Sequence, residues 1–372
     1  MDRKQISLMR ATPPYLPALS EALQKTLATF ATSEDTLARY FRQSQYDWCE
    51  ETRSSGVEWI GTRVKLAPAV DKMMVTSGAT STILLLTSFL VPPGTVLLAE
   101  ELTLPQVYAI AKITSVRVQS VRIDQQGLLP DDLEQKCKHY APKAIYLNCT
   151  VHSPTTHVTP IERRRAIADI ARKYGVQIIE DDSQALFLDD LPDSFATIAP
   201  DITWYSIGLS GYFGDAVRLA FVVAPSACDL AAVHRGSHLI STWRPAPLTI
   251  SIATHWIRTG VARTLLQLVR TETRKRQQIA SELLSEIDGF RGSNGTHFWL
   301  PTPTGVDSEQ FSRALAEAGI IVRASKLYAG DYEPRLQGIR SGVGEPVDVD
   351  QLRRAMEIIR DIYYRFWFGA LP

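Results

Sequence analysis

The sequence predicts an α/β protein: a large domain built on a mostly parallel sheet with helices on both faces, joined to a smaller α+β lobe. Three observations carry this expectation. From residue 70 onward, short continuous apolar runs alternate with helix-length stretches, as strands buried on both faces do. Small and polar residues collect at the carboxyl ends of those runs, where open parallel sheets bind their ligands. Beyond residue 295 the runs become mixed in type, which suits a second lobe.

In chain order, residues 6–9 form a short apolar stretch, followed by Pro13-Pro14 and a helical pattern over 16–30. Together they read as an N-terminal arm, residues 1–45, joining the smaller lobe. Helical spacing returns at 56–60. Strands are expected over 73–76, 95–99, 116–123, 144–147, 176–179, 202–206 and 217–223. Helices are expected between them over 80–90, 107–113, 131–139 and 161–173. The large domain so defined spans 46–255. A long helix over 250–284 leads into the second lobe, 256–372, and its arginines from Arg258 to Arg276 read as a solvated face. Strands at 296–300, 320–322 and 338–341 and helices at 308–318 and 349–366 complete that lobe.

With 372 residues, 45% hydrophobic and 22% charged, the chain is long enough for a sizeable core and is not of disordered composition. Forty Lys+Arg balance forty Asp+Glu, so no net positive field draws the protein to nucleic acid or an acidic membrane. A small-molecule ligand or a protein partner fits that balance better. Cys49, Cys137, Cys149 and Cys228 are widely spaced without a CxxC pair, and read as small buried residues of a reducing cytosol. The start, Met-Asp-Arg-Lys-Gln, lacks the apolar run of a signal peptide, and no apolar segment approaches the ~18 residues of a membrane span. A cytoplasmic protein without a membrane partner or a metal site is the expectation.

The residues that carry chemistry sit at strand ends: Ser77, Gly78 and Ala79; Asn148 to Thr156; Glu180, Asp181 and Asp182; and Ser210 to Arg218. Around them, Arg53-Ser-Ser-Gly-Val-Glu-Trp-Ile, Val75-Thr-Ser-Gly-Ala, Asp124-Gln-Gln-Gly-Leu-Leu-Pro-Asp-Asp-Leu, Ser153-Pro-Thr-Thr, Glu162-Arg-Arg-Arg-Ala-Ile, Ile178-Ile-Glu-Asp-Asp, Val217-Arg-Leu-Ala-Phe and His297-Phe-Trp-Leu-Pro follow one another in a recognisable order. In these motifs, over nearly its whole length, the chain resembles the fold-type-I pyridoxal-phosphate aminotransferases, in particular the aminotransferase-like domain of MocR-type regulators. Those regulators carry a winged helix ahead of this domain. None precedes residue 6 in this sequence, so a standalone domain without a nucleic-acid partner is expected.

The resemblance implies a fold-type-I architecture, a homodimer and a set of cofactor contacts. Ser77, Gly78 and Ala79 would bind the cofactor phosphate at a helix N-terminus, where free amides and the helix dipole favour an anion. Ser210 and Arg218 would add a hydroxyl and a bidentate cation. Asp181 would pair with the pyridine nitrogen, keeping the ring an electron sink. Arg340 falls where the family places the arginine that grips a substrate carboxylate, with Ser153 also on the substrate side.

The departures lie around the cofactor ring. Counting back seven residues from Arg218 reaches Gly211, where the resemblance places the lysine that forms the Schiff base. Leu104 stands in place of a stacking tyrosine, Ser153 in place of an asparagine, Ser183 or Gln184 in place of a second tyrosine, and Gly208 in place of the first serine of Ser-x-Ser. A glycine supplies neither the amine nor the proton that ordinary transamination needs. Tyr212, His152, its neighbour His157 and Lys326 are the candidates to move protons instead.

Three readings follow. The first is a divergent enzyme that has lost ordinary transamination and acts on an amino-acid-like or phosphorylated small molecule, with a setting in specialised-metabolite biosynthesis. Its pyridoxal or pyridoxamine phosphate would be held non-covalently or dispensed with. The second is a catalytically dead ligand-sensing or scaffolding subunit. The third is an ordinary aminotransferase with an engineered lysine substitution.

Overall fold

A computed structural model of the chain describes residues 5–42, 49–65, 67–237 and 243–369. Its strands in chain order are β1 (Ile6–Ser7), β2 (Met73–Thr76), β3 (Val96–Glu100), β4 (Arg117–Val121), β5 (Ile123–Asp124), β6 (Gly127–Leu128), β7 (Ala144–Leu147), β8 (Gln177–Asp181), β9 (Thr203–Gly208), β10 (Ala220–Val223), β11 (His297–Pro301), β12 (Ile320–Ile321), β13 (Arg323–Ala324) and β14 (Gly338–Gly342). Its helices are α1 (Pro17–Ala31), α2 (Glu34–Arg42), α3 (Glu50–Gly61), α4 (Ala79–Leu90), α5 (Pro105–Ile113), α6 (Pro130–Tyr140), α7 (Ile161–Tyr174), α8 (Phe195–Ile198), α9 (Ser210–Phe213), α10 (Ala227–Ser237), α11 (Pro247–Arg258), α12 (Val261–Leu284), α13 (Ser308–Glu317) and α14 (Val349–Trp367).

Seven strands form the central sheet in the order β2-β10-β9-β8-β7-β3-β4. β10 alone runs against the rest, antiparallel to β2 and β9, while β4, β3, β7, β8 and β9 pair in parallel. The strands are apolar on both faces because both faces are covered. Within β3, Leu97 and Ala99 pack with Ile83 and Leu86 of α4 and Val107 and Ile110 of α5. Val96 and Leu98 face the opposite way, toward Leu133 of α6 and Ile167 and Ala171 of α7. Each buried valine, leucine or isoleucine here contributes ~1.5–3 kcal/mol on burial, so neither face of the sheet could stay in water.

The expected helix over 250–284 is two helices. Gly260, at φ 78°, takes the left-handed conformation that ends α11 and starts α12. The first turns of α12 place Ala262, Leu265 and Val269 in the large-domain core, and its last turns place Ile279, Ala280 and Leu284 in the core of the small lobe. α12 thus bridges the lobes. Its arginines are not a uniformly solvated face: Arg276 is buried, bonding Glu272 and the carbonyl oxygens of Val343 and Pro346.

The small lobe is the sheet β11-β14-β13 backed by α13 and α14. The N-terminal arm divides between the lobes. β1 pairs in parallel with β12, Ile6 opposite Ile320, whereas α1 lays Leu19, Leu23 and Phe30 against the large-domain core, with the Trp256 indole N–H donating to Thr26. Between the two, residues 10–13 cross Gly342 and Gly344 so closely that a Cβ at either glycine would lie 1.9 Å from a carbonyl oxygen of Arg10 or Thr12. Only glycine permits that approach.

All four cysteines are free. Cys137 and Cys149 are buried as expected, but Cys228 is exposed and Cys49 half-buried, its sulfur accepting from the Thr52 amide at the start of α3. Among the described residues no helix is long and apolar enough to cross a membrane.

Candidate active site

A cleft of about 350 Å³ lies where the carboxyl ends of the central strands meet the small lobe and the arm. Ala79, Ser153, Asp181, Ser210, Gly211, Arg218 and Arg340 all line it, so the structure brings most of the sequence-predicted residues together. Ser77 and Gly78 form the turn behind Ala79.

The first end of the cleft is the turn from β2 into α4. Strand β2 ends in Ser77, whose amide donates to the Trp243 carbonyl, and Gly78 turns the chain at φ 88° into α4. No side chain caps this helix, so the amides of its first turn lack intrahelical acceptors. A Cβ on Gly78 would lie 3.1 Å from Cγ of Arg218, so the glycine lets the arginine lie across the turn. Arg218 meets Asp215 at 3.2 Å, and Asp215 also lies 3.6 Å from Arg10.

At the end of β8 the Glu-Asp-Asp run sorts by strand alternation. Glu180 accepts from the amides of Phe195 and Ala196 at the start of α8, and Asp182 accepts from Arg63 at 2.8 Å and from Tyr205. Only Asp181 reaches the cleft. Its carboxylate accepts from the Tyr146 hydroxyl at 2.9 Å and from the amide and hydroxyl of Ser183. Burial raises its pKa above the usual carboxylate value, and the Ser183 and Tyr146 bonds pull it back. Asn148 backs this arrangement, donating to the Asp181 carbonyl and accepting from the Ser153 amide.

The wall beside Asp181 contains two glycines, Gly208 and Gly211. A Cβ at Gly211 would lie 3.1 Å from the Ser183 carbonyl and 3.6 Å from Nε2 of Gln184, so that side-chain amide borders the space a residue at 211 would enter. The other end of the Gln184 amide is held by the backbone N–H and hydroxyl of Thr296. At Gly208 a Cβ would lie 3.2 Å from Oγ of Ser183, which accepts from the Gly208 amide. Leu104 lines the same cleft.

None of the four predicted proton carriers lines the cleft. His152 is fully buried, its ring bonded to the Thr155 hydroxyl and the Leu102 carbonyl and stacked 4.2 Å from His157. Burial drives His152 down to about 4 and His157 to about 3, so both are neutral. With Glu100 they form a cluster whose ligand-type atoms lie within 4.8 Å of one another, the one grouping of metal-ligand type among the described residues. Tyr212 points into the large-domain core against Trp59 and Phe187, its hydroxyl accepting from the Leu186 amide; burial raises its pKa. Lys326 turns outward to Glu333 and the Tyr332 carbonyl.

Other residues take those places. His297, on β11, lines the cleft with its Nε2 3.2 Å from the His152 carbonyl, which fixes the proton there and leaves Nδ1 as an unpartnered acceptor. Burial, reinforced by the charge of Arg340, holds this ring well below its ordinary pKa and neutral. Arg323, Tyr328 and residues 9–12 of the arm also line the cleft. His297 was visible at sequence level only as part of the His-Phe-Trp-Leu-Pro motif, where strand alternation would have put it on one face with Trp299; Arg323 had no signal beyond its place after a short apolar run.

A seven-stranded sheet with one reversed strand, a glycine turn into an uncapped helix at its first crossover and a strand-end aspartate define the fold-type-I aminotransferase architecture. The chain belongs to the aminotransferase class I and II family, whose family model matches residues 4–338. It is 25% identical over 292 residues to the uncharacterized HTH-type transcriptional regulator YdeF of Bacillus subtilis (strain 168), covering 78% of this chain and 63% of the regulator. It is 24% identical over 326 residues to the 2-aminoadipate transaminase of Thermus thermophilus, covering 82% of this chain and 79% of that enzyme. The chain spans less than two-thirds of the length of its regulator relatives. In fold it matches an archaeal alanine:glyoxylate aminotransferase at a TM-score of 0.86, with 22% identity and 98% and 92% of the two chains covered. An α-aminoadipate aminotransferase, also from Thermus thermophilus, matches at 0.86, with 17% identity and 99% and 94% covered.

The residues present fit the phosphate and ring-nitrogen ends of pyridoxal phosphate. Amides at the start of α4, Ser210 and Arg218 suit the phosphate, and the buried Asp181 carboxylate suits a protonated nitrogen. No lysine is among the residues lining the cleft.

Proposed function

We propose that the cleft binds pyridoxal or pyridoxamine phosphate non-covalently, together with an amino or 2-oxo acid, and that the protein is a divergent enzyme acting on that acid without transamination through a lysine. One observation carries this reading: Gly211 faces the cleft beside a tethered Gln184 amide, where a cofactor-bearing side chain would otherwise start. The packing of Ser183 against Gly208 supports a pocket adapted as a whole, which argues against a single engineered substitution. The relatives named as acting on 2-aminoadipate and alanine support an amino-acid-like ligand.

The bound cofactor would supply an electron sink next to the reacting carbon of the acid. Each protein group has a role around it. The cup formed by the start of α4, Ser210 and Arg218 holds the phosphate. Asp181, pushed toward its neutral form by burial and toward its charged form by Tyr146 and Ser183, is poised to share a proton with a ring nitrogen. Arg340 takes a carboxylate of the acid, Nδ1 of His297 offers a lone pair to a departing proton, and residues 9–12 shield that end from water. A second reading, a ligand-binding subunit without turnover, is favoured by one fact: both oxygens of Asp181 already accept protein hydrogen bonds.

The test is to load the protein with pyridoxal phosphate, reduce with borohydride and measure its mass. The wild type should bind cofactor reversibly, lose it on dialysis and show no modified residue in the cleft. Gly211→Lys should acquire a reducible covalent bond to the cofactor, and Arg218→Ala should weaken binding in either background. A covalent adduct in the wild-type cleft, or binding indifferent to Arg218, would sink the proposal. Turnover of amino or 2-oxo acids, lost in Asp181→Ala, separates enzyme from ligand-binding subunit.

A further inference from the structure

We infer that a second ligand site lies behind the wall of the cleft, built for an amphipathic acid with an apolar body and one carboxylate. The inference stands apart from the reading of the cleft, with which this site shares no lining residue. A cavity of about 400 Å³ opens between α3, the first turns of α12 and the segment 186–193 that follows β8. That volume falls within the ~300–1,000 Å³ of small-molecule sites. Leu186 and Leu188 line it and continue the segment whose Ser183 and Gln184 line the cleft, so the two spaces lie on either side of one wall. The floor is apolar: Trp59, Leu186, Ile257 and Ala262 are buried, with Leu188 and Leu266 half-buried beside them. Apolar surface left open to water in this way is covered favourably by an apolar ligand body.

The polar groups around that floor call for acceptors. Asp189 and Asp193 are engaged by Arg270 and Lys65, and Arg63 is held by Asp182. Arg263 has no ion-pair partner among the described residues, and it sits in the first turn of α12. That turn has no side-chain cap and no acidic residue, so its free amides and the helix dipole reinforce the charge of Arg263. Glu58, the unpaired carboxylate among the lining residues, is exposed on α3. Three N–H groups of lining residues, Trp59 Nε1, Arg63 Nη2 and Arg270 Nε, are buried with no acceptor, while no lining side chain leaves an acceptor buried and unpaired. Unsatisfied buried donors are uncommon in folded proteins, and these three border one cavity. A carboxylate supplies acceptors and no donors. Its place is the α12 end, beside Arg263, with the apolar body against Trp59 and Leu266. A neutral amide of the same shape lacks the charge and brings donors of its own, so the site selects against it.

The experiment titrates the full chain calorimetrically with 2-naphthoate and with 2-naphthamide, its neutral counterpart. The wild type should bind 2-naphthoate at one site and prefer it by about fivefold or more, an advantage that shrinks with added salt. Arg263→Glu should remove the preference, and Arg263→Lys should keep most of it. Leu266→Trp, which fills the cavity, should abolish binding of both compounds. Arg340→Gln and saturation with pyridoxal phosphate should leave 2-naphthoate binding unchanged, because both act in the cleft. A far-ultraviolet circular dichroism spectrum matching the wild type shows that each variant is folded. No binding of 2-naphthoate by the wild type, or equal affinity for both compounds, overturns the inference. Binding that survives Leu266→Trp and disappears in Arg340→Gln also overturns it, by assigning the acid to the cleft. Pyridoxal phosphate binding, tested by Arg218→Ala, is untouched by each of these outcomes.

Discussion

The two ends of the cleft hold charge in opposite ways. At the cup, the Arg218 side chain is 58% exposed and faces Asp215 across water-accessible space; at the small-lobe end Arg340 is buried beneath the arm and faces no carboxylate. An exposed ion pair is worth ~0–1 kcal/mol, whereas a hydrogen bond to a desolvated charge is worth ~1.5–3 kcal/mol. On the proposed reading, the cup anchors a phosphate generically, through backbone amides and a screened cation. On the same reading, selection between acids falls to the arginine end, where the buried Arg340 has little access to water.

The strongest way to break this division is to lift the arm. Gly342→Ala places a Cβ where the Arg10 carbonyl now sits, so residues 9–12 must move, and the Met9 carbonyl leaves Arg340. A loss of ~2–4 kcal/mol in urea unfolding is expected from such overpacking against backbone. Binding of 2-oxo acids should fall with it, while pyridoxal phosphate affinity at the cup stays close to wild type. Equal loss at both ends would show that the arm couples them.

Acid should act next most strongly, through the loop between the ends. His152 and His157 lie beneath Ser153 and stay neutral in the fold, with pKa values lowered to about 4 and about 3. The unfolded chain takes up these protons below its ordinary ~6.5, while the folded protein does not, so stability falls as pH drops. Between pH 7 and 5 this amounts to about 2 kcal/mol for each histidine. Urea unfolding across that range checks this: the buried, neutral His297 adds to the loss and the buried Glu180, its pKa raised to about 7, opposes it, so His152→Gln should make the loss between pH 7 and 5 smaller by about 2 kcal/mol than in the wild type. A slope unchanged in that variant would mean that His152 is protonated in the fold.

Much of this was legible in the sequence. The apolar run at the end of which Asp181 sits, and the seven-residue count from Arg218 to Gly211, located the sheet and three residues that line one cleft. What failed was side-chain direction. Tyr212 adjoins Gly211 in sequence, yet one position further along a helical turn swings the ring into the core against Trp59. His152 lies in the right loop and faces backward, because its ring finds the Leu102 carbonyl and Thr155. Gly260 ends a helix by a backbone conformation that hydrophobic spacing does not register, and Arg276 is buried because α12 passes under residues 343–346, a contact remote in sequence. Arg323 escaped notice for the same reason: it comes to line the cleft by lying opposite Arg340 across two strands.

The smallest expected effect tests the exposed end. Asp215 lies 3.2 Å from Arg218 and 53% exposed, so it offsets part of the charge a phosphate would use, and the amides of α4 remain whatever Asp215 does. Asp215→Asn keeps the shape and removes the competing anion. Stability should change by less than ~0.5 kcal/mol, and pyridoxal phosphate should bind about two- to fivefold tighter in a fluorescence titration, an advantage that shrinks with added salt. Arg218→Ala in the same background should reverse the gain, because the carboxylate acts through that guanidinium. If Asp215→Asn instead weakens binding, the aspartate orients Arg218 rather than competing for it. The cup would then be as preorganised as the arginine end, and exposure would no longer separate the two.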